Sequence, residues 1–110
     1  MLSWEDFEKV DMRVGTITAV SDFPKARKPA YQLTIDFGPK LGIKKSSAQI
    51  TDRYTKESLL GMQIIAVVNF PPKQIANFLS ECLVLGALDS ERSVTLITPS
   101  LNAENGDRIA

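Results

Sequence analysis

Arg53-Tyr54-Thr55-Lys56-Glu57-Ser58-Leu59-Leu60-Gly61 is the stretch on which the fold turns. It predicts a short helix over Arg53 to Leu60, with Gly61 in the C′ position, where a left-handed residue commonly ends a helix. Both sides of it read as strands. Upstream, a weaker strand covers Ile43 to Thr51. Before it, Ala30-Tyr31-Gln32-Leu33-Thr34-Ile35-Asp36-Phe37 alternates strictly, with Tyr31, Leu33, Ile35 and Phe37 on one face. Met12 to Val20 alternates as well and is rich in β-branched residues, and Gly15 inside it suggests a bulge or bend. Between these two strands Phe23-Pro24-Lys25-Ala26-Arg27-Lys28-Pro29 is a loop bounded by prolines.

Downstream of the helix, Ile64-Ile65-Ala66-Val67-Val68-Asn69-Phe70 is a continuous apolar run stopped by Pro71-Pro72, as in a strand buried on both sides. Leu83 to Leu88 and Ser93 to Thr98 form a hairpin around Asp89-Ser90-Glu91-Arg92. Three strands, a helix and then further strands is the order of the OB-fold, a small all-β five-stranded Greek-key barrel. An SH3-like barrel suits the strand count but not the inserted helix. At the front, Ser3 to Val10 reads as a second short helix, with Ser3 as N-cap and Glu5 and Asp6 in its first turn. So short a helix needs tertiary support, so Trp4, Phe7 and Val10 pack either on this domain or on a partner subunit.

The chain has 110 residues, suited to one domain over 1–110, and no linker or repeat divides it. Its 13 Lys and Arg balance 13 Asp and Glu, and it has no histidine. Without histidine there is no Ser/His/Asp triad, no Cys/His pair and no imidazole base. The one cysteine, Cys82, lies among apolar neighbours and reads as a buried residue. No enzyme, metal site or cofactor is expected. No run of about 18 apolar residues exists and the first residues lack a signal-peptide pattern, so a cytoplasmic protein without membrane insertion is expected.

Balanced totals conceal a segregated charge. Residues 23–56 carry eight Lys and Arg against two Asp, while residues 1–22 carry two against five acids, and residues 81–110 again two against five. The basic positions fall on the loop (Lys25, Arg27, Lys28) and on the third strand (Lys44, Lys45), where they alternate with short hydrogen-bonding residues in Lys44-Lys45-Ser46-Ser47-Ala48-Gln49. Cations for phosphates beside small polar groups are what a nucleic-acid groove requires. The competing readings are a solvated surface with uneven charge and acidic ends meeting the basic middle of a second copy. Asn69, at the end of its strand, either ties down the turn or faces a ligand. Phe70 and Phe78 either stack on bases or belong to the core.

Asp11-Met12-Arg13-Val14-Gly15-Thr16-Ile17, Asp36-Phe37-Gly38, Ser46-Ser47-Ala48-Gln49-Ile50-Thr51, Val67-Val68-Asn69-Phe70-Pro71-Pro72 and Ser80-Glu81-Cys82-Leu83-Val84-Leu85-Gly86 together resemble the OB-fold tRNA-binding domain. That family occurs at the C-terminus of methionyl-tRNA synthetases, in synthetase-associated cofactors and as free-standing proteins. Glu81-Cys82, where the wider family often has Gly-Met, resembles the free-standing CsaA-type branch, whose members are described as secretion-related chaperones. Asn77 stands at a position that is usually Gly, which implies a positive φ there. Leu79 stands where a basic residue is common.

The resemblance implies RNA contacts at Asn69, Lys73 and Ser80, with Lys44, Lys45 and Ser46 beside them. It also implies a non-catalytic tRNA-binding homodimer, so that Trp4, Phe7 and Ile109 near the chain ends belong either to its interface or to the core of one chain. The alternative it implies is a chaperone for unfolded or exported polypeptides, with an apolar site built from Phe70, Pro72 and Phe78.

Overall fold

Short elements form where local hydrogen bonds and alternation agree. The computed structural model describes residues 1–110. Helix α1 (Trp4–Glu8) starts at Ser3, whose hydroxyl accepts from the Asp6 amide at 3.1 Å while the Asp6 carboxylate accepts from the Ser3 amide at 3.4 Å. This reciprocal capping box satisfies two otherwise orphaned amides. Strand β1 (Met12–Asp22) is the long central element. Strands β2 (Tyr31–Asp36) and β3 (Ile43–Ala48) follow, and then α2 (Lys56–Leu59), a single turn capped by Thr55 and Ser58 in the same reciprocal manner. Gly61 takes φ +83 after it, as the sequence predicts. Third strand and inserted helix are both shorter than expected, ending at Ala48 and beginning at Lys56.

Strand β4 (Gln63–Val67) has Ile64, Ile65, Ala66 and Val67 buried, and ends before Asn69 and Phe70 rather than including them. Residues beyond the two prolines form a hairpin that alternation did not reveal, β5 (Lys73–Ile75) and β6 (Phe78–Ser80). Its two-residue turn places the positive φ on Ala76 (φ 50), not on Asn77. Then come β7 (Leu83–Val84), β8 (Gly86–Leu88) and β9 (Val94–Leu96), the last two forming the expected hairpin.

The main sheet runs β3-β2-β1-β4-β7, all antiparallel. Strand β1 pairs with β4 through residues 12–16 and with β2 through residues 16–22, so one strand serves both halves of the barrel. A register shift between Ile17 and Ala19 lets it turn the corner. Gly15 has a different task from the bend expected there. A Cβ at that position would lie 2.6 Å from the Ile35 side chain and 2.7 Å from the Phe37 ring, so only glycine lets Phe37 cross β1.

Edge strands β3 and β7 come together to make a nearly closed five-stranded barrel, the OB-fold. Side chains do much of the closing. Glu81 N–H donates to the Lys45 carbonyl at 2.7 Å, and the Glu81 carboxylate accepts from the Lys45 amide at 3.0 Å. The Ser80 hydroxyl accepts from the Ser47 amide at 3.1 Å, and the Ser46 hydroxyl donates to the Cys82 carbonyl at 3.1 Å. Inside lie Ile17, Leu33, Ile35, Phe37, Leu59 and Ile64, with Leu59 as the plug that α2 delivers. A separate cluster of Phe23, Ala30 and Phe78 lies outside the barrel.

Candidate nucleic-acid interface

That second cluster builds the site. Phe23 and Ala30 are buried at the two ends of the basic loop, and the Phe23 ring packs on Phe78 of β6 with centroids 5.4 Å apart. The loop is thereby clamped to the β5–β6 hairpin, while Lys25, Arg27 and Lys28 between the anchors stay exposed. Lys73 of β5 arrives opposite them. Together with Ser47 and Gln49 they line a groove of about 680 Å³, whose remaining wall is the turn at Gln74 and Ala76.

Electrostatics sets this groove apart. The four ion pairs of the molecule are Lys9–Asp6, Arg13–Asp11, Arg53–Asp89 and Lys56–Asp22. None uses a groove residue, so Lys25, Arg27, Lys28 and Lys73 converge without a carboxylate within 4.0 Å. Four like charges brought together at an exposed surface, with no internal counterion, favour an anionic ligand.

Strand β3 contributes by alternation, which separates residues that the sequence reading grouped. Ser46 and Ala48 are buried on the barrel side, and Lys44 shares their face but is only half-buried, opposite Ile35 of β2. Lys45 shares the outer face with Ser47 and Gln49, flanking the groove. Ser46 is only 1% exposed and its hydroxyl is spent on the Cys82 and Ser47 carbonyls, so it is a closing residue of the barrel rather than a ligand contact. The groove's outward serine is Ser47, one position on. Counting alternation outward from buried Ala48 would have found it.

Asn69 lines neither the groove nor its neighbour. Its Oδ1 accepts from the Asp11 amide at 3.0 Å and its Nδ2 donates to the Lys9 carbonyl at 2.7 Å. Of the two alternatives open in the sequence, the side chain takes the tying role, and what it ties is the junction of α1 with β1. Ser80, the cross-strand partner of Lys73, lines a smaller pocket of about 200 Å³ with Phe70, Pro71, Cys82 and Leu83, and Lys73 lines this pocket as well as the groove. Phe70 is 55% exposed there, and Pro72 is exposed beside it. Phe78, placed with them in the sequence reading, is 8% exposed and belongs to the Phe23 cluster, where its cross-strand partner Ile75 packs beside it.

Burial pushes the Cys82 thiol up to about 12, so it is protonated at neutral pH. No three His, Cys, Asp or Glu side chains gather in a metal-ligating group. No helix is long and apolar enough to cross a membrane. A separate cavity of about 520 Å³ lies at the chain ends, lined by Trp4, Phe7, Glu8, Arg108, Ile109 and Ala110. Trp4 is 85% exposed on its rim.

Residues 12–108 match the family model described as "Putative tRNA binding domain". Among solved structures, the chain is similar to the CsaA chaperone protein from Picrophilus torridus, at 58% identity, with a TM-score of 0.94 and 100% of both chains covered. It is also similar to the chaperone CsaA of Bacillus anthracis, at 52% identity and TM-score 0.94, over 100% of this chain and 99% of that one. Among curated relatives, it is 33% identical over 108 residues to a methionine–tRNA ligase of Porphyromonas gingivalis. That alignment takes in 98% of this chain, which spans 15% of that enzyme's length.

Proposed function

Because this chain belongs to the tRNA binding domain family, we propose that it is a non-catalytic RNA-binding protein that holds tRNA in the groove between the 25–28 loop and β5. The single observation that carries this reading is the convergence of Lys25, Arg27, Lys28 and Lys73 with no carboxylate in salt-bridge range. These cations neutralise phosphates, while Ser47, Gln49 and Gln74 supply hydrogen bonds to sugars and phosphate oxygens. Lys45 adds a flanking charge. The ligase chemistry of the much longer synthetase relatives is not part of the proposal, since this chain spans only 15% of the length of such an enzyme.

The protein acts as a cytoplasmic homodimer. Trp4, Phe7 and Ile109 present an apolar surface suited to a second copy, and a paired groove raises avidity for a large RNA. A second reading, binding of unfolded or exported polypeptides, is favoured by the exposed apolar pocket around Phe70 and by the similarity to CsaA chaperones.

A salt titration of tRNA binding tests the main reading. With about three to five phosphates engaged per subunit, log K falls against log salt with a slope of roughly −2 to −4. Lys73→Ala should flatten that slope by about 0.7–0.9, and Lys44→Ala should leave it unchanged. A slope near zero for the unaltered protein overturns the proposal.

A further inference from the structure

The pocket beside the groove has a mixed lining that phosphate neutralisation alone does not use. Phe70, Pro71 and Leu83 form apolar walls, Cys82 supplies a neutral floor, and Lys73 and Ser80 stand with them as a cation and a hydroxyl. Ser80 Oγ accepts from the Ser47 amide, and its own hydrogen has no partner within the chain, leaving it free to donate. Lys73 is common to both cavities, so a phosphodiester chain lying in the groove brings a phosphate to this pocket.

We propose that this pocket is a single-nucleotide subsite, which takes one unpaired base of the RNA held in the groove. The inference rests on the groove being an RNA site. A cavity of about 150 Å³ admits one benzene-sized ring, so about 200 Å³ suits one nucleobase and not a stack of them. The base lies against Phe70 and Pro71. Its phosphate meets the Lys73 ammonium, and the Ser80 O–H donates to an acceptor on the base edge or ribose. A nucleotide offers all three features together: a flat apolar face for the walls, an anionic phosphate for Lys73 and an acceptor for Ser80.

Aromatic supply near the groove points the same way. Phe23 and Phe78 face each other and are buried. The Tyr31 hydroxyl donates to the Tyr54 carbonyl at 2.8 Å, and the Tyr54 hydroxyl accepts from the Leu96 amide at 2.9 Å, so both half-buried tyrosines are held in the framework. Phe70 is the exposed ring beside the groove. The groove therefore follows the backbone, and one base, at one place, is stacked.

Two RNA hairpins of equal length test this, one fully paired and one with a single bulged 2-aminopurine. Stacking of one base corresponds to about a tenfold effect or more, so the bulged hairpin should bind about tenfold tighter, with a change in 2-aminopurine fluorescence on binding. Phe70→Ala should abolish that preference while leaving the salt slope and the affinity for the paired hairpin unchanged, and Phe70→Trp should retain it. Equal binding of the two hairpins, or a preference that survives Phe70→Ala, overturns the subsite while a persisting salt slope leaves the groove reading intact. A flat salt dependence for both RNAs overturns the groove reading itself. If Phe70→Ala instead weakens only the binding of an apolar-basic peptide, the pocket takes polypeptide side chains and the nucleotide assignment falls.

Discussion

Ser46, Ser47 and Ser80 share a side chain and differ in where alternation and pairing put it. Ser46 faces the barrel interior and must satisfy its hydroxyl there, which it does on the Cys82 carbonyl. Ser47 faces the groove, and Ser80 stands at the seam with its acceptor used and its donor free. Ser46→Ala should therefore cost about 1–3 kcal/mol of stability, the cost of leaving the buried Cys82 carbonyl short of a donor. Urea unfolding measures it, and the slope of RNA affinity against salt should not move. The chemistry of these serines was legible in the sequence, but their division of labour was not. Ser46 and Ser47 are neighbours in the chain, and only pairing of β3 across the seam to residues 80–82 shows which one is desolvated. Asn69 is a second case. Its position after a buried strand was readable, but its bonds to Lys9 and Asp11 span 60 and 58 residues of chain and depend on how α1 enters the sheet.

Elements meet through short polar clusters as well as through the core. The segment before α2 is fastened to the β8–β9 turn by Arg53 on Asp89 at 2.9 Å and by the Ser93 hydroxyl on the Asp52 carboxylate at 3.2 Å. Asp89 also accepts from the Ser93 and Glu91 amides, both at 2.9 Å. The Ser93 amide first, and then the Arg53 guanidinium, hold the Asp89 carboxyl below its ordinary value of 3.8. A depressed folded-state value means that the stabilisation is present above the unfolded value and is lost as pH falls through the folded one. The midpoint of urea unfolding should thus decline below pH about 4. Asp89→Asn should lower the midpoint at neutral pH and make the acid decline shallower. The existence of α2 and of this hairpin was readable from Gly61 and the Asp89–Arg92 turn. The β5–β6 hairpin was not, because three-residue strands are too short for alternation to register, and its fold is held by Phe78 packing on a loop residue 55 positions earlier.

At the scale of the whole molecule, charge and apolar surface are sorted onto different regions. The groove cations lie between the 25–28 loop and β5, whereas Trp4, Phe7, Arg108 and Ile109 gather where the two chain ends meet. The tail reaches that place by pairing with β1: Val14 donates to the Asp107 carbonyl and Ile109 to the Met12 carbonyl, both at 2.9 Å. If this end is the dimer face, Trp4→Ser should shift the native mass from twice the chain mass towards the single chain. It should also weaken tRNA binding through lost avidity, with the groove cations intact. Native mass spectrometry at several concentrations checks this, and an unchanged dimer mass places the interface elsewhere.

Local rules in the chain were enough for the barrel strands, the inserted helix and the basic middle third. Alternation, capping residues and glycine positions act over a few neighbouring residues, and a sequence displays them directly. The family resemblance added an order of motifs that pointed to RNA. Tertiary structure alone decided which cations share a surface, which serine is buried, that Asn69 is a tie and Phe78 a core residue, and that Lys73 serves two adjoining cavities. Each of these depends on pairings between segments far apart in the chain, where the facing partner rather than the residue type sets burial, hydrogen bonding and charge neighbourhood.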